Sequence, residues 1–206
     1  MLENITNPNE RKIAADQLKQ EYTDLLLSTG REGVEKLLEY LNARTDFFTA
    51  PAAAKFHNNF EGGLLEHSLN VYRNFKDLLA MKNIEMEQDS IIITALLHDL
   101  CKCNYYIKEE RNRKVNGKWE SYETWGYVKA PTVLLPHSQR SIRIIRNFIP
   151  LKFVEELTIF YHMGPFGGED YEYRNLLQAA NSKYPQTLLF YIADLISSYM
   201  DEHIVE

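Results

Sequence analysis

Cysteine is nearly absent: the 206 residues hold two, Cys101 and Cys103, both at the end of a predicted helix. A pair so placed supports neither a disulfide framework nor a four-ligand zinc site, and it points to a reducing compartment. No apolar run approaches the roughly 18 residues that a membrane span requires. The opening stretch MLENITNPNERK is polar and charged where a secretory leader would be apolar. The expectation is a soluble, cytoplasmic protein with no membrane partner. Positive charge is also short, with a formal net charge of -6 and a pI near 5.6. Such a chain has no broad attraction for a polyanion, so long nucleic acid is a disfavoured partner. A small phosphorylated substrate stays compatible, because a bound divalent cation reverses the local charge of an acidic site. Repeats and low-complexity tracts are missing as well. Nothing in spacing or composition determines an oligomeric state.

What is there suffices for a core. A composition of 45% hydrophobic and 12% aromatic residues can fill an interior without covalent cross-links, and the length fits one domain over residues 1–206. Residues 8–29 and 31–42 read as amphipathic helices broken at Gly30, an accessory N-terminal layer within 1–45. The stretch 43–62, with Pro51, His57 and the first glycine of Gly62-Gly63, reads as a loop. Helices are expected over 63–82 and 88–103. Residues 104–129 then change character: Tyr105, Ile107, Val115, Trp119, Tyr122, Trp125 and Tyr127 sit among charged residues around an Asn116-Gly117 turn, which reads as a β-hairpin. Helical spacing returns over 137–148, 151–163, 172–183 and 186–203, with Pro150 and Pro185 near two of the starts. The fold expected is all-α, seven or eight helices carrying one small inserted hairpin.

Polar residues in apolar surroundings mark the chemistry. In ALLHDLCK, His98 shares a helical stripe with Ile91 and Ala95, and Asp99 shares the next with Ile92 and Leu96. A buried carboxylate is costly unless a cation or several donors meet it. Lys102, one turn on, stands where it can meet a phosphate. In GGLLEHSLNVY, His67 aligns with Leu64, Val71 and Phe75 on a core-facing stripe, where a lone histidine is commonly a hydrogen-bonded core residue. In YIADLISSYM, Asp194 is ringed by Tyr191, Ile192 and Leu195, and its bland explanation is a helix-to-helix hydrogen bond. Three separate helices each sending one metal-competent group into the core argue instead for a common ion. His137, at a helix start with Arg140 one turn on, and His162, at a helix end, suit ligands too, although helix-end imidazoles also cap backbone groups. His57 reads as a neighbour of the ligands or a substrate contact, and His203 is given no role.

The ordered set His67, His98-Asp99 and Asp194 resembles the His…His-Asp…Asp signature of HD-domain phosphohydrolases over residues 56–200. The segments HNNFEGGLLEHSLNV, LLHDLCK, PHSQ, FYHMG and IADLISS resemble the HD domains of certain bacterial exoribonucleases and of phage or bacterial HD hydrolases. The resemblance implies an HD helical bundle with one or two divalent ions held by His67, His98, Asp99 and Asp194, with Asp99 able to bridge. That subgroup's two further histidines map onto His137 and His162. It usually has glycine at the position of Cys101. Residues 1–45 read as helical and acidic, not as an OB-type barrel, which counts against an exoribonuclease.

Histidine and carboxylate ligands without thiolate suit manganese, iron, cobalt, nickel or zinc. The expected chemistry is hydrolysis of a phosphate monoester or diester on a nucleotide or nucleotide-like small molecule. Asp99 is its central group, and Lys102 and Arg140 stabilise charge on the phosphate oxygens. Two rival readings are a mixed-valent di-iron HD oxygenase and a non-catalytic module that binds a metal or nucleotide. For the hairpin aromatics Trp119, Tyr122, Trp125 and Tyr127, the favoured expectation is packing on the helices, with a stacking surface for a base as the alternative.

Overall fold

A computed structural model describes residues 2–128 and 135–202. His203 therefore lies outside the described residues. Two helices open the fold, α1 (Pro8–Ser28) and α2 (Val34–Arg44). Pro8 occupies the first helical position, and the Asn7 side chain accepts a hydrogen bond from Asn9 N at 3.0 Å, so the first turn is capped on both counts. The expected break at Gly30 extends further than predicted. Gly33 takes a φ of 89°, and α2 starts only after it. A side chain at Gly33 would meet the Phe148 carbonyl at 1.9 Å, so only glycine fits there.

The loop over 43–62 is as expected, and it leads to α3 (Gly63–Lys82). Its entry is tight. Ala52 N donates to the Asn58 carbonyl at 3.0 Å, and a Cβ on Gly63 would sit 2.0 Å from that same oxygen. The helix then buries an almost unbroken stripe that includes Leu64, His67, Val71 and Phe75. Phe75 meets Phe190 of α8 (Pro185–Ile196) edge-on at 4.9 Å, a geometry that suits the ring quadrupoles.

Helix α4 (Gln88–Leu97) is buried on every side from Ser90 to Leu97, which fits a run as apolar as SIIITALL. It ends earlier than the predicted 88–103. His98 and Asp99 form a turn, with Asp99 at φ −109° and ψ 20°, before a short 3-10 segment over Leu100–Lys102. Consecutive residues of a regular helix point about 100° apart, and leaving the helix here lets both side chains serve one space.

The hairpin pairs β1 (Tyr106–Val115) with β2 (Lys118–Tyr127) in antiparallel register from Tyr106 opposite Tyr127 to Val115 opposite Lys118. Asn116 and Gly117 both take positive φ, 50° and 84°, the tight two-residue turn that Asn-Gly favours. Helix α5 (His137–Arg146) packs on the 3-10 segment and on α6 (Phe153–Phe160), and α7 (Tyr171–Lys183) packs on α8. Past Ile196 the last helix widens into a π turn over Ser197–Asp201. The architecture is an all-α bundle of eight α-helices among the described residues, with one inserted hairpin, as the sequence predicts. No helix among the described residues is long and apolar enough to cross a membrane.

Candidate metal centre

Five elements deliver polar groups to one point. His67 comes from the second turn of α3, His98 and Asp99 from the turn after α4, His137 from the first residue of α5, His162 from just beyond α6, and Asp194 from α8. His67, His98, Asp99 and His162 are almost fully buried, and His137 is partly buried. All six residues expected as ligands are thus brought together.

Asp99 is the hub. Its Oδ1 lies 2.6 Å from His137 Nε2 and 3.6 Å from His162 Nε2. Its Oδ2 lies 3.4 Å from His98 Nε2, 3.7 Å from His67 Nε2 and 2.7 Å from Lys102 Nζ. His67 Nε2 is also 3.4 Å from Asp194 Oδ1. The imidazoles form a chain of neighbouring rings, with centroids 5.4 Å apart for His67 and His98, 5.1 Å for His98 and His162, and 5.2 Å for His162 and His137.

The buried rings are oriented alike. His98 Nδ1 donates to the Ala95 carbonyl at 2.8 Å and His162 Nδ1 to the Ile159 carbonyl at 2.7 Å. His67 Nδ1 donates to Glu202 at 3.0 Å. In each case Nε2 is left bearing the lone pair, and in each case that atom is buried without a hydrogen-bond partner. An orphaned buried acceptor is costly. Those of His67 and His98 fit one divalent ion beside Asp99 at ordinary nitrogen and oxygen ligand distances of about 2.0–2.2 Å, and that of His162 faces the other oxygen of the same carboxylate. His67, His98 and Asp99 form one group whose donor atoms lie within 4.8 Å of one another, and Asp99, Cys101 and His137 form a second.

Electrostatics divide the rings: burial opposes charge on His98, but Asp99 raises its pKa above the ordinary value, whereas His67 and His162 fall below theirs. Burial lowers the His67 pKa to about 3 and holds His162 well below its ordinary value, so both rings are neutral and able to donate a lone pair. Burial opposes charge on Asp99, but Lys102, His98 and His137 outweigh it and keep the carboxyl well below the usual range. Burial likewise opposes charge on Lys102 and His137, yet Asp99 raises both, His137 to about 10.

Arg140, expected to act on phosphate, stands one turn beyond His137 with its guanidinium 4.9 Å over the Tyr105 ring. It is thereby tied to the root of the hairpin, where Tyr105, Tyr106 and Tyr127 pack together at 5.2–5.6 Å. The expectation that the hairpin aromatics pack on helices is corrected for three of the four, Trp125 alone being half-buried. Trp119 is 71% exposed, Tyr127 50% and Tyr122 36%. The ribbon faces α1 and the loop before α3 across a cavity that Arg11, Lys55 and Phe60 line together with Tyr122 and Trp125. Its rings pair with cations of the ribbon itself: Lys108 lies over Trp125 and Arg113 over Tyr122, at 5.6 and 5.1 Å.

Two contacts escaped the sequence reading. Glu202 is buried behind His67, although the surrounding MDEHIVE gives no sign of anything but a solvated tail. Cys101 Sγ lies 3.2 Å from His137 Nδ1, so the residue that replaces the usual glycine touches a candidate ligand. His57 stacks near His67 with ring centroids 5.0 Å apart, in keeping with a neighbour of the ligands.

A helical bundle that gathers one His-Asp doublet, separate histidines and a distant aspartate around one buried point defines the HD-domain class. The match to the HD domain runs over residues 64–197, well over half of the chain, and the chain belongs to that family. A dihydroneopterin 2',3'-cyclic phosphate phosphodiesterase from Methanocaldococcus jannaschii is 36% identical to it over 78 residues, which cover 36% of this chain and 29% of that enzyme. The matched region is therefore less than a third of that relative's length. No solved structure matches the chain.

Proposed function

We propose that this chain, folded as a single domain, is a metal-dependent phosphohydrolase. His67, His98, Asp99 and Asp194 would hold one divalent ion, and Asp99, His137 and His162 a second. The observation that carries the reading is the set of three buried, partnerless Nε2 atoms facing Asp99 and Asp194. When bound, the ion supplies Lewis-acid chemistry, acidifying a water and screening phosphate charge.

The protein's own residues do the rest. Lys102 stays charged against Asp99, and its remaining N–H donors can take up a phosphate oxygen. Arg140, held by Tyr105 at the edge of the pocket, is the second cation available to the phosphate. The packed imidazole rings and Phe190, 5.3 Å from His98, exclude bulk water from the inner side.

For substrate we favour a small phosphoester carrying an aromatic ring, a nucleotide or nucleotide-like molecule. Exposed rings on a hairpin rooted beside Arg140 support this, as does the partial match to an enzyme that acts on a cyclic phosphate. The test is metal analysis of purified protein, followed by turnover assays on phosphomonoesters, linear diesters and 2',3'-cyclic phosphates with manganese, iron, cobalt, nickel and zinc. Turnover that requires one of these ions is the expected result. A mixed-valent iron pair without any phosphatase activity would replace this reading with the oxygenase, and tight nucleotide binding without turnover would replace it with a sensing module.

A further inference from the structure

The three buried histidines reach the same orientation by different means. His98 and His162 lie just past helix ends, where the last four carbonyls of a helix have no partner within it. Each therefore finds an acceptor three residues back, in Ala95 or Ile159. His67 sits inside α3, where nearby carbonyls are already taken by the helix ladder. Its acceptor must come from elsewhere, and it comes from 135 residues away: Glu202 Oε1 and Oε2 lie 3.0 and 3.2 Å from Nδ1.

That carboxylate is held by the same helix that carries the histidine. Asn70, one turn beyond His67, donates to Glu202 Oε1 at 3.2 Å. Asn74, a further turn on, donates to Ser197 Oγ at 2.9 Å and to Asp201 Oδ2 at 2.7 Å, gripping both ends of the π turn that precedes Glu202. Residues 67, 70 and 74 share one face of α3, so this face presents the ligand and also fastens the segment that supports it. Helical π turns commonly mark sites where a side chain is re-aimed.

Resting on the metal-centre reading above, we propose that Glu202 is a positioning residue for His67. By accepting the Nδ1 proton it fixes the ring's tautomer, turns Nε2 toward Asp99 and Asp194, and strengthens that nitrogen as a donor. A backbone carbonyl does this less strongly for His98 and His162. The ion between His67 and Asp194 should therefore depend on Glu202, and an ion at His137 and His162 should not.

The experiment compares full-length parent, Glu202→Gln and Glu202→Ala protein, each checked for helicity and melting temperature. Manganese affinity is measured by titration, and the His67 Nδ1 proton is observed by NMR in metal-free protein. Glu202→Ala should lose the downfield Nδ1 proton signal and weaken the tighter manganese site about 10- to 100-fold. Glu202→Gln keeps an acceptor without the charge, so it should retain the tautomer and lose less affinity. Should the alanine variant fail to fold, the near-isosteric glutamine variant decides. A folded variant with unchanged manganese affinity and an unchanged Nδ1 signal overturns the role of Glu202. A parent that binds no metal while its Nδ1 proton is seen bonded to Glu202 would instead overturn the metal-centre reading.

Discussion

Asp99 and His137 meet through Oδ1 and Nε2 at 2.6 Å, although 38 residues separate them. The contact fastens the first residue of α5 to the turn after α4 and leaves the other oxygen of Asp99 to Lys102, His98 and His67. One carboxylate thereby joins two sets of imidazoles. An ion on the Oδ1 side must displace the His137 hydrogen bond and meets one partnerless Nε2, that of His162. On the Oδ2 side it must displace the Lys102 contact but meets two, those of His67 and His98. The His67 side should accordingly load first.

Replacing Asp99 with alanine removes the group common to both sets. We expect metal binding and turnover to fall together, turnover by about a thousandfold or more, as when a member of an interdependent catalytic set is lost. The helices should remain, since their apolar core is untouched. Calorimetric metal titration, steady-state assays and circular dichroism on one preparation check this. Unchanged hydrolysis would assign the activity to another site.

The proposed second ion would rest on His137 and His162, so the double variant His137→Ala, His162→Ala is predicted to bind one equivalent of manganese where the parent binds two. Turnover should drop more than affinity for the remaining ion, because one ion does less well what two share. Mass-spectrometric metal counting after reloading reads the stoichiometry. A parent saturating at one ion, with a fully active double variant, would leave these histidines outside the chemistry.

The candidate ligands were legible because each breaks a pattern. His67, His98 and Asp194 are polar residues on apolar stripes, and that conflict between local pattern and residue type is what a buried site leaves in a sequence. Glu202 breaks no pattern, since an acidic residue in an acidic tail is what solvent would permit. Its burial follows from the grip of Asn70 and Asn74 on a distant segment. Helix ends were the other blind spot. Periodicity carries α4 through Lys102, but the chain leaves the helix at His98, where geometry around Asp99 overrides propensity. The hairpin was placed by Asn116-Gly117 and the aromatics set among its charges, while the exposure of its rings depended on how closely the ribbon packs on the rest of the chain.

Those exposed rings allow a clean separation of stability from recognition. Trp119, 71% exposed, should be replaceable by alanine within about 0.5 kcal/mol of the parent stability. If the root of the ribbon stacks a substrate ring, Tyr127→Ala raises KM for an aromatic phosphoester and leaves kcat and the response to a small aliphatic phosphate unchanged, whereas Trp119→Ala, opposite Lys114 at the far end of the ribbon, changes none of these. Base stacking on one aromatic is worth about 1–3 kcal/mol, so a KM rise of about fivefold or more is expected. Equal KM values across parent and variants would remove the hairpin from substrate binding.

Away from the metal centre, the accessory helices are locked to the bundle by charge. Arg31, in the turn between α1 and α2, lies 2.6 Å from the buried Glu155 and 3.1 Å from Asp89. Glu155 also receives Ser90 Oγ at 2.7 Å and Lys152 N at 2.8 Å, so its carboxylate is satisfied only with Arg31 in place. Arg31→Ala strands a buried charge, a loss of about 3 kcal/mol, which for a chain of this size lowers the melting temperature by about 6–12 °C. Asp89 adds a pH signature. Burial is the largest single influence and opposes its ionisation, but Lys152, Arg31 and the Ser90 N–H together outweigh it and lower its pKa. A carboxyl depressed in the folded state contributes stability that is present above its unfolded value near 3.9 and is lost as pH falls through the lower folded value. The melting-temperature gap between parent and Asp89→Asn should therefore be open at neutral pH and close below about pH 4. A gap that persists unchanged at pH 3 would show that Asp89 acts through packing and its hydrogen bond to Ser90 N, not through charge.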